Sequence, residues 1–158
     1  MSLGARRGGD PAGWLLDTNV VSELRKPRCH PAVRAWVRAR PPEALFLSEV
    51  TMAEIRFGIG RLPPGDPLRP RLEAWIDSDL RPWFAGRVLP VNEDALVEWR
   101  WMVERGRAER HTFAQPDLFL AAIAALRGLC VVTRNVADFA RAGVPVLDPW
   151  AAPVGPEG

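Results

Sequence analysis

Short apolar runs alternate with amphipathic stretches along the chain, and several runs stop on a polar residue where a helical pattern begins. Residues 14–16 (Trp-Leu-Leu) end at Asp17, and 45–47 (Leu-Phe-Leu) end at Ser48. Further runs at 129–133 and 144–147 complete the set, with a shorter one at 87–91 whose Pro90 suits a sheet edge. Uninterrupted apolar runs of this length read as parallel strands buried on both faces. Between them the apolar period lengthens to that of a helix. A short helix is expected through Val20 to Leu24, with Thr18 and Asn19 capping it. The next, opened by Pro31, carries Val33, Trp36 and Val37. Met52, Ile55 and Ile59 share one side of a third helix, with Glu54 and Gly58 on another. Helical spacing resumes over 68–80 and again after Asn92, where Ala95, Leu96, Trp99, Met102 and Val103 form the expected buried stripe. Residues 106–114 read as a loop, Pro116 opens an alanine-rich helix that stops at Gly128, and a last short helix follows Asn135. Strands alternating with helices predict an α/β fold with a central, mostly parallel sheet of four to five strands and helices on both faces.

Length and composition allow one core. The chain has 158 residues, 47% hydrophobic and 25% charged, enough for a single domain expected over 14–150, between a disordered leader at 1–13 and a loose tail at 151–158. No apolar run approaches the roughly 20 residues of a spanning helix. Arg6 and Arg7 are followed by no apolar segment of the secretory type, so a cytoplasmic protein is expected. Cys29 and Cys130 lack paired metal-site spacing, and a disulfide between them is not expected. A formal charge of +2 gives little general attraction for nucleic acid. Any such affinity would rest on local arginines such as Arg25, Arg28 and Arg134.

The acids add more. Asp17 follows the first strand, Glu54 lies in the helix after the second, Asp117 opens a helix, and Asp138 follows the fourth strand. Singly, each is explained as an acid favoured near a helix start. In a parallel sheet, however, all four can meet in the crevice at the carboxyl ends of the strands. Two carboxylates at about 4 Å and an effective dielectric near 20 repel by about 4 kcal/mol, so such a cluster takes up protons or holds a cation. Oxygen donors of this kind suit Mg²⁺ or Mn²⁺.

The segments around these acids resemble the successive motifs of PIN domains. They are Leu15-Leu16-Asp17-Thr18-Asn19, Ala53-Glu54-Ile55-Arg56-Phe57-Gly58, Asp117 with Ala121-Ala122-Ile123-Ala124, and Thr133-Arg134-Asn135-Val136-Ala137-Asp138-Phe139. The likeness is strongest to the FitB-like branch of VapC toxins, down to the ending Asp148-Pro149-Trp150. The resemblance implies a PIN-like three-layer sandwich and a Mg²⁺- or Mn²⁺-dependent endoribonuclease, the toxin of a type II toxin-antitoxin pair. It assigns Asp17, Glu54, Asp117 and Asp138 as catalytic and metal-binding. Thr18, Asn19, Thr133 and Asn135 become supporting residues, with Arg134 beside them as a phosphate contact. It further implies a small VapB-like antitoxin, an RNA substrate, operator DNA reached only through the antitoxin complex, a homodimer, and no membrane association. The chain departs from the family in the bulky stretch His111 to Pro116 and in Phe119, where a smaller or polar residue is common; both bear on the shape of the substrate groove. His111 lies outside the motif set as an acid or base. The phosphatase fold that also begins with a strand-borne Asp is set aside because position 19 is Asn. The alternative from another class is a binding module that pairs with an antitoxin in a DNA-bound repressor complex and cleaves little.

Overall fold

A computed structural model describes residues 11–152. Its five strands are β1 (Trp14–Leu16), β2 (Leu45–Ser48), β3 (Val88–Leu89), β4 (Cys130–Val132) and β5 (Val146–Leu147), parallel throughout and ordered β3-β2-β1-β4-β5. Trp14 pairs with Leu45 on one side and Cys130 on the other, which centres β1 in the sheet. The helices are α1 (Thr18–Arg25), α2 (Pro31–Arg38), α3 (Glu49–Gly60), α4 (Leu68–Trp75), α5 (Arg81–Trp83), α6 (Glu93–Ala108), α7 (Gln115–Arg127) and α8 (Val136–Arg141).

Successive strand residues point to opposite faces, and this divides the core in two. Leu15 and Val131 face a cluster with Ala95, Met102, Leu118 and Phe139. Leu16, Leu47 and Val132 face the other, with Val20, Val33, Trp36 and Ile76. The expected three-layer α/β sandwich is therefore present, with all five strands parallel.

Local differences have physical causes. Helical structure after Leu68 does not end at Leu80: a π-helical turn, Ile76–Leu80, buries Ile76 and Leu80 and joins α4 to α5. Leu96, expected in the buried stripe of α6, is 45% exposed, since Ala95, Met102 and Gly106 form the buried side. The helix also runs on to Ala108 through part of the expected loop, because bare Gly106 lets the returning chain pack against it. A Cβ there would stand 2.9 Å from the His111 carbonyl oxygen.

The expected leader lies outside the described residues as far as Asp10, but its end is tied into the fold. Ala12 N–H donates to the Gly128 carbonyl at 2.9 Å, and the Gly13 carbonyl accepts from Cys130 N–H at 3.0 Å. Beyond Ala152 the expected tail lies outside the described residues. Cys29 and Cys130 are both free and buried. Among the described residues, no helix is long and apolar enough to cross a membrane.

The topology fixes where chemistry gathers. The chain steps from β1 to β2 and β3 on one side, then crosses to β4 and β5 on the other, so the strand order reverses at the β1/β4 junction. In open α/β sheets a crevice forms at such a junction, beyond the carboxyl ends of the strands. Asp17 and Thr133 are the first residues after those two strands.

Candidate functional site

Asp17 caps α1 itself. Its Oδ1 accepts from Thr18 N–H at 2.7 Å, and its Oδ2 accepts from the Thr133 hydroxyl at 2.8 Å and the Asn19 amide at 3.4 Å. Asp17 is 6% exposed and Thr133 fully buried. The capping expected of Thr18 and Asn19 is therefore corrected: a strand that ends on a carboxylate supplies its own cap, which frees both side chains to face the site. The Thr18 hydroxyl donates to Glu54 Oε1 at 3.4 Å, and Asn19 Nδ2 reaches Thr133 Oγ1 at 3.1 Å.

Thr133 is the hinge of the polar network. Its hydroxyl donates to Asp17 and accepts from both Asn19 Nδ2 and Asn135 N–H, the latter at 3.0 Å. One donor and two lone pairs are all that a hydroxyl has, so this group is saturated. Asn135 continues the chain of contacts. Its Nδ2 donates to Asp117 Oδ2 at 2.8 Å and to Asp138 Oδ2 at 3.2 Å, drawing two carboxylates from different helices onto one amide nitrogen. Asp117 is in the first turn of α7, which begins at the carboxyl edge because it must run back before β4 can be parallel.

The four acids and four supporting residues are thus neighbours. Burial is the main cause that raises the Asp17 carboxyl above its usual pKa, against the lowering effect of Thr133 and Thr18. Burial also raises Glu54, followed by repulsion from Asp17 and Asp117. Asp117 is raised by burial, then by Asp17 and Asp138. Among the described residues, none of the four acids is in an ion pair with Lys, Arg or His; the ion pairs lie elsewhere, as in Lys26–Glu23 and Arg105–Glu98. The acids are gathered but not drawn onto one point: among the described residues, no three His, Cys, Asp or Glu side chains form a ready ligand set. Repelling carboxylates without a cationic side-chain partner are oxygen donors that fit a hard divalent ion such as Mg²⁺ or Mn²⁺, while the neighbouring Asn19 and Asn135 amides turn their nitrogen to the acids.

Arg134 stands at the rim. Its backbone N–H donates to Asn19 Oδ1 at 3.4 Å, while its guanidinium lies over the Trp150 ring, 4.4 Å from the centroid. His111 packs edge-on against Phe113 at 4.4 Å and has no hydrogen bond to the four acids. Two features escaped the sequence reading. One is the Arg134–Trp150 stack, which depends on how β5 and its following turn bring distant residues together. The other is Phe57, which joins Phe119, the residue expected to shape the groove, in an apolar wall beside Glu54. The signal for Phe57 was its place three residues after Glu54, which puts both on one side of α3.

Residues 14–145 match the family model described as PIN domain. The chain is 36% identical over 136 residues to VapC ribonuclease Y4jK of Sinorhizobium fredii, covering 86% of this chain and 96% of that protein. It is 35% identical over 136 residues to toxin FitB of Neisseria gonorrhoeae, covering 86% and 97% respectively. The structure of FitAB bound to an IR36 DNA fragment superposes with a TM-score of 0.81 at 32% identity, covering 89% of this chain and 97% of that one. The family model spans most of the chain and both relatives exceed 30% identity over nearly their whole length, so the chain belongs to the PIN-domain family.

Proposed function

We propose that this chain is a cytoplasmic, Mg²⁺- or Mn²⁺-dependent endoribonuclease and the toxin of a type II toxin-antitoxin pair. The observation that carries the reading is the meeting of Asp17, Glu54, Asp117 and Asp138 around one hydrogen-bonded network at the β1/β4 crevice, without a cationic side chain among them. The names of the relatives, VapC ribonuclease and toxin FitB, support it. The FitAB complex on DNA supports a small antitoxin partner, with operator DNA reached through that complex. A homodimer is part of the same reading.

Asp17, Glu54 and Asp117 would hold the cation, with Asp138 completing the acidic set. When bound, Mg²⁺ or Mn²⁺ supplies a Lewis acid that acidifies water and offsets the charge growing on the phosphodiester. The chain's own residues do the rest. Thr133 and the Thr18 amide fix Asp17 in one orientation, and Asn135 holds Asp117 beside Asp138. Thr18 restrains Glu54. Arg134, steadied on Trp150, offers a charged planar group for an RNA phosphate. Thr133, buried and saturated, acts as a positioning residue and makes no substrate contact.

The test is cleavage of a mixed pool of structured RNAs by the purified protein with Mg²⁺, Mn²⁺ or EDTA, beside Asp17→Ala and Asp117→Asn. Discrete cuts that need metal and vanish in both variants are expected. Cuts that persist in EDTA or in Asp117→Asn would refute the reading, and no cuts in any RNA would favour a binding module instead.

A further inference from the structure

The carboxylate centre opens sideways onto a different kind of surface. Glu54 lines an apolar cavity of about 430 Å³ with Val50, Phe57, Val91, Pro116 and Phe119. That is within the roughly 300–1,000 Å³ range of small-ligand sites. Phe57 is 70% exposed, one of the most exposed large apolar side chains in the described fold. Phe119 is held flat against Trp99, with ring centroids 5.0 Å apart and 20° between planes, and the Trp99 indole N–H donates to Gln115 Oε1 at 2.9 Å. One wall is therefore a braced aromatic, the other an open one.

Ala53 and Phe57 also border a larger cavity of about 880 Å³ between α3 and α4. Arg56, Arg61, Arg69 and Arg81 line it, against Glu73 and Asp77. Arg69 pairs with Glu73 at 3.3 Å and Arg81 with Asp77 at 3.4 Å. Among the described residues, Arg56 and Arg61 have no ion-pair partner, so the groove keeps a surplus of positive charge. Acid centre, aromatic cavity and arginine groove follow one another along α3. Aromatic faces beside a cationic groove are what single-stranded nucleic acid needs, because bases stack on the rings while phosphates follow the charge.

We propose that the cavity beside Glu54 takes an unpaired nucleobase next to the scissile phosphate, stacked on Phe57, and that the arginine groove takes phosphates of the same strand. This rests on the ribonuclease reading and adds to it a specificity subsite. A second protein chain laid over α3 would cover Arg56 and Arg61 and would have to bring acids to them, whereas an RNA strand carries the counter-charge itself. The base must be unpaired, since a base stacked within a duplex is not free to enter.

The test is a binding cycle on full-length protein carrying Asp117→Asn, using a fluorescein-tagged single-stranded oligoribonucleotide that the wild-type protein cuts. A matching set carries one abasic nucleotide stepped along the strand. One abasic position beside the cut is expected to weaken binding about tenfold to a hundredfold, as is Phe57→Ala on the intact strand. Together the two losses are expected to fall well short of multiplying, because both remove the same stack. Phe57→Trp should keep the affinity, and Arg56→Ala and Arg61→Ala should each lower the salt slope of binding by about one. Losses that multiply at every abasic position would overturn the proposal while leaving the ribonuclease reading intact. So would unchanged RNA affinity in Phe57→Ala joined to a smaller sedimenting species, which would assign the face to another copy of this chain. Failure of the wild-type protein to cut any RNA with Mg²⁺ or Mn²⁺ would remove both readings together.

Discussion

Thr133→Val changes shape little and removes one oxygen, and that oxygen makes three contacts. Asp17 Oδ2 would lose its 2.8 Å hydroxyl donor and retain only the 3.4 Å contact from Asn19. Asn19 Nδ2 and Asn135 N–H would lose an acceptor at 3.1 and 3.0 Å. The bond to an ionised buried carboxylate carries about 1.5–3 kcal/mol, and donors left unpaired add to the loss, while the added methyl recovers some apolar burial. A net cost of about 2 kcal/mol follows. For a domain of this size that lowers Tm by roughly 4–8 °C. The Thr133 bond also holds the Asp17 carboxyl down, so its removal raises that carboxyl further. The cost is therefore larger near neutral pH than in mild acid, where a protonated Asp17 needs no donor from Thr133. Since the substitution leaves Asp17 held only by the Thr18 N–H and the long Asn19 contact, divalent affinity should fall about 10- to 100-fold. Urea denaturation at two pH values, with a Mn²⁺ titration of the folded protein, measures both effects. Unchanged stability and unchanged Mn²⁺ affinity would refute the positioning role of Thr133.

Other consequences follow from the same packing. Asp117→Asn should stabilise the metal-free protein: Asp117 and Asp138 share the Asn135 amide nitrogen at 2.8 and 3.2 Å, and unit charges within about 6 Å at an effective dielectric near 20 repel by roughly 3 kcal/mol, which partial exposure reduces to about 1 kcal/mol. A thermal melt in EDTA would show it, and an equal or lower Tm would count against electrostatic crowding. Asp17, Glu54 and Asp117 are all raised in the fold, so the folded chain binds more protons than the unfolded one between the ordinary and raised values. Their contribution to stability is complete below the ordinary carboxylate range and is lost as pH rises through the raised values. Melts in EDTA should accordingly fall toward neutral pH with a smaller slope in Asp117→Asn, and saturating Mg²⁺ should flatten the decline. Gly13→Ala would set a Cβ 2.7 Å from the Ala44 carbonyl oxygen and 2.9 Å from the Phe46 ring, both packed. Such overpacking costs about 1–3 kcal/mol, and a urea midpoint equal to that of the wild type would contradict it.

Much of this site was readable in the sequence because parallel sheets impose it. An apolar triplet that stops at Asp17 has one place to deliver that carboxylate, and Asp117 reaches the same edge because its helix must return before β4 begins. The centrality of β1 and the full parallel order were less visible, since two-residue strands such as β3 and β5 carry almost no pattern of their own. Side-chain choices were hidden for a different reason. Thr18 and Asn19 looked like caps because local propensity favours that use, yet Asp17 at the strand end reached the free amide first. Leu96 matched the helical stripe but faces out, because Gly106 and Met102 place the buried side of α6 elsewhere. The cradle of Asn135 between Asp117 and Asp138 depends on a contact across the fold.

Electron paramagnetic resonance of Mn²⁺ titrated into the purified full-length protein, beside Asp117→Asn, tests the central claim most directly. If Asp17, Glu54, Asp117 and Asp138 form a divalent-cation site, the wild-type protein will deplete the free Mn²⁺ signal saturably, Mg²⁺ will compete, and Asp117→Asn will bind at least about tenfold more weakly. Equal Mn²⁺ binding by both proteins, or none by either, would contradict it.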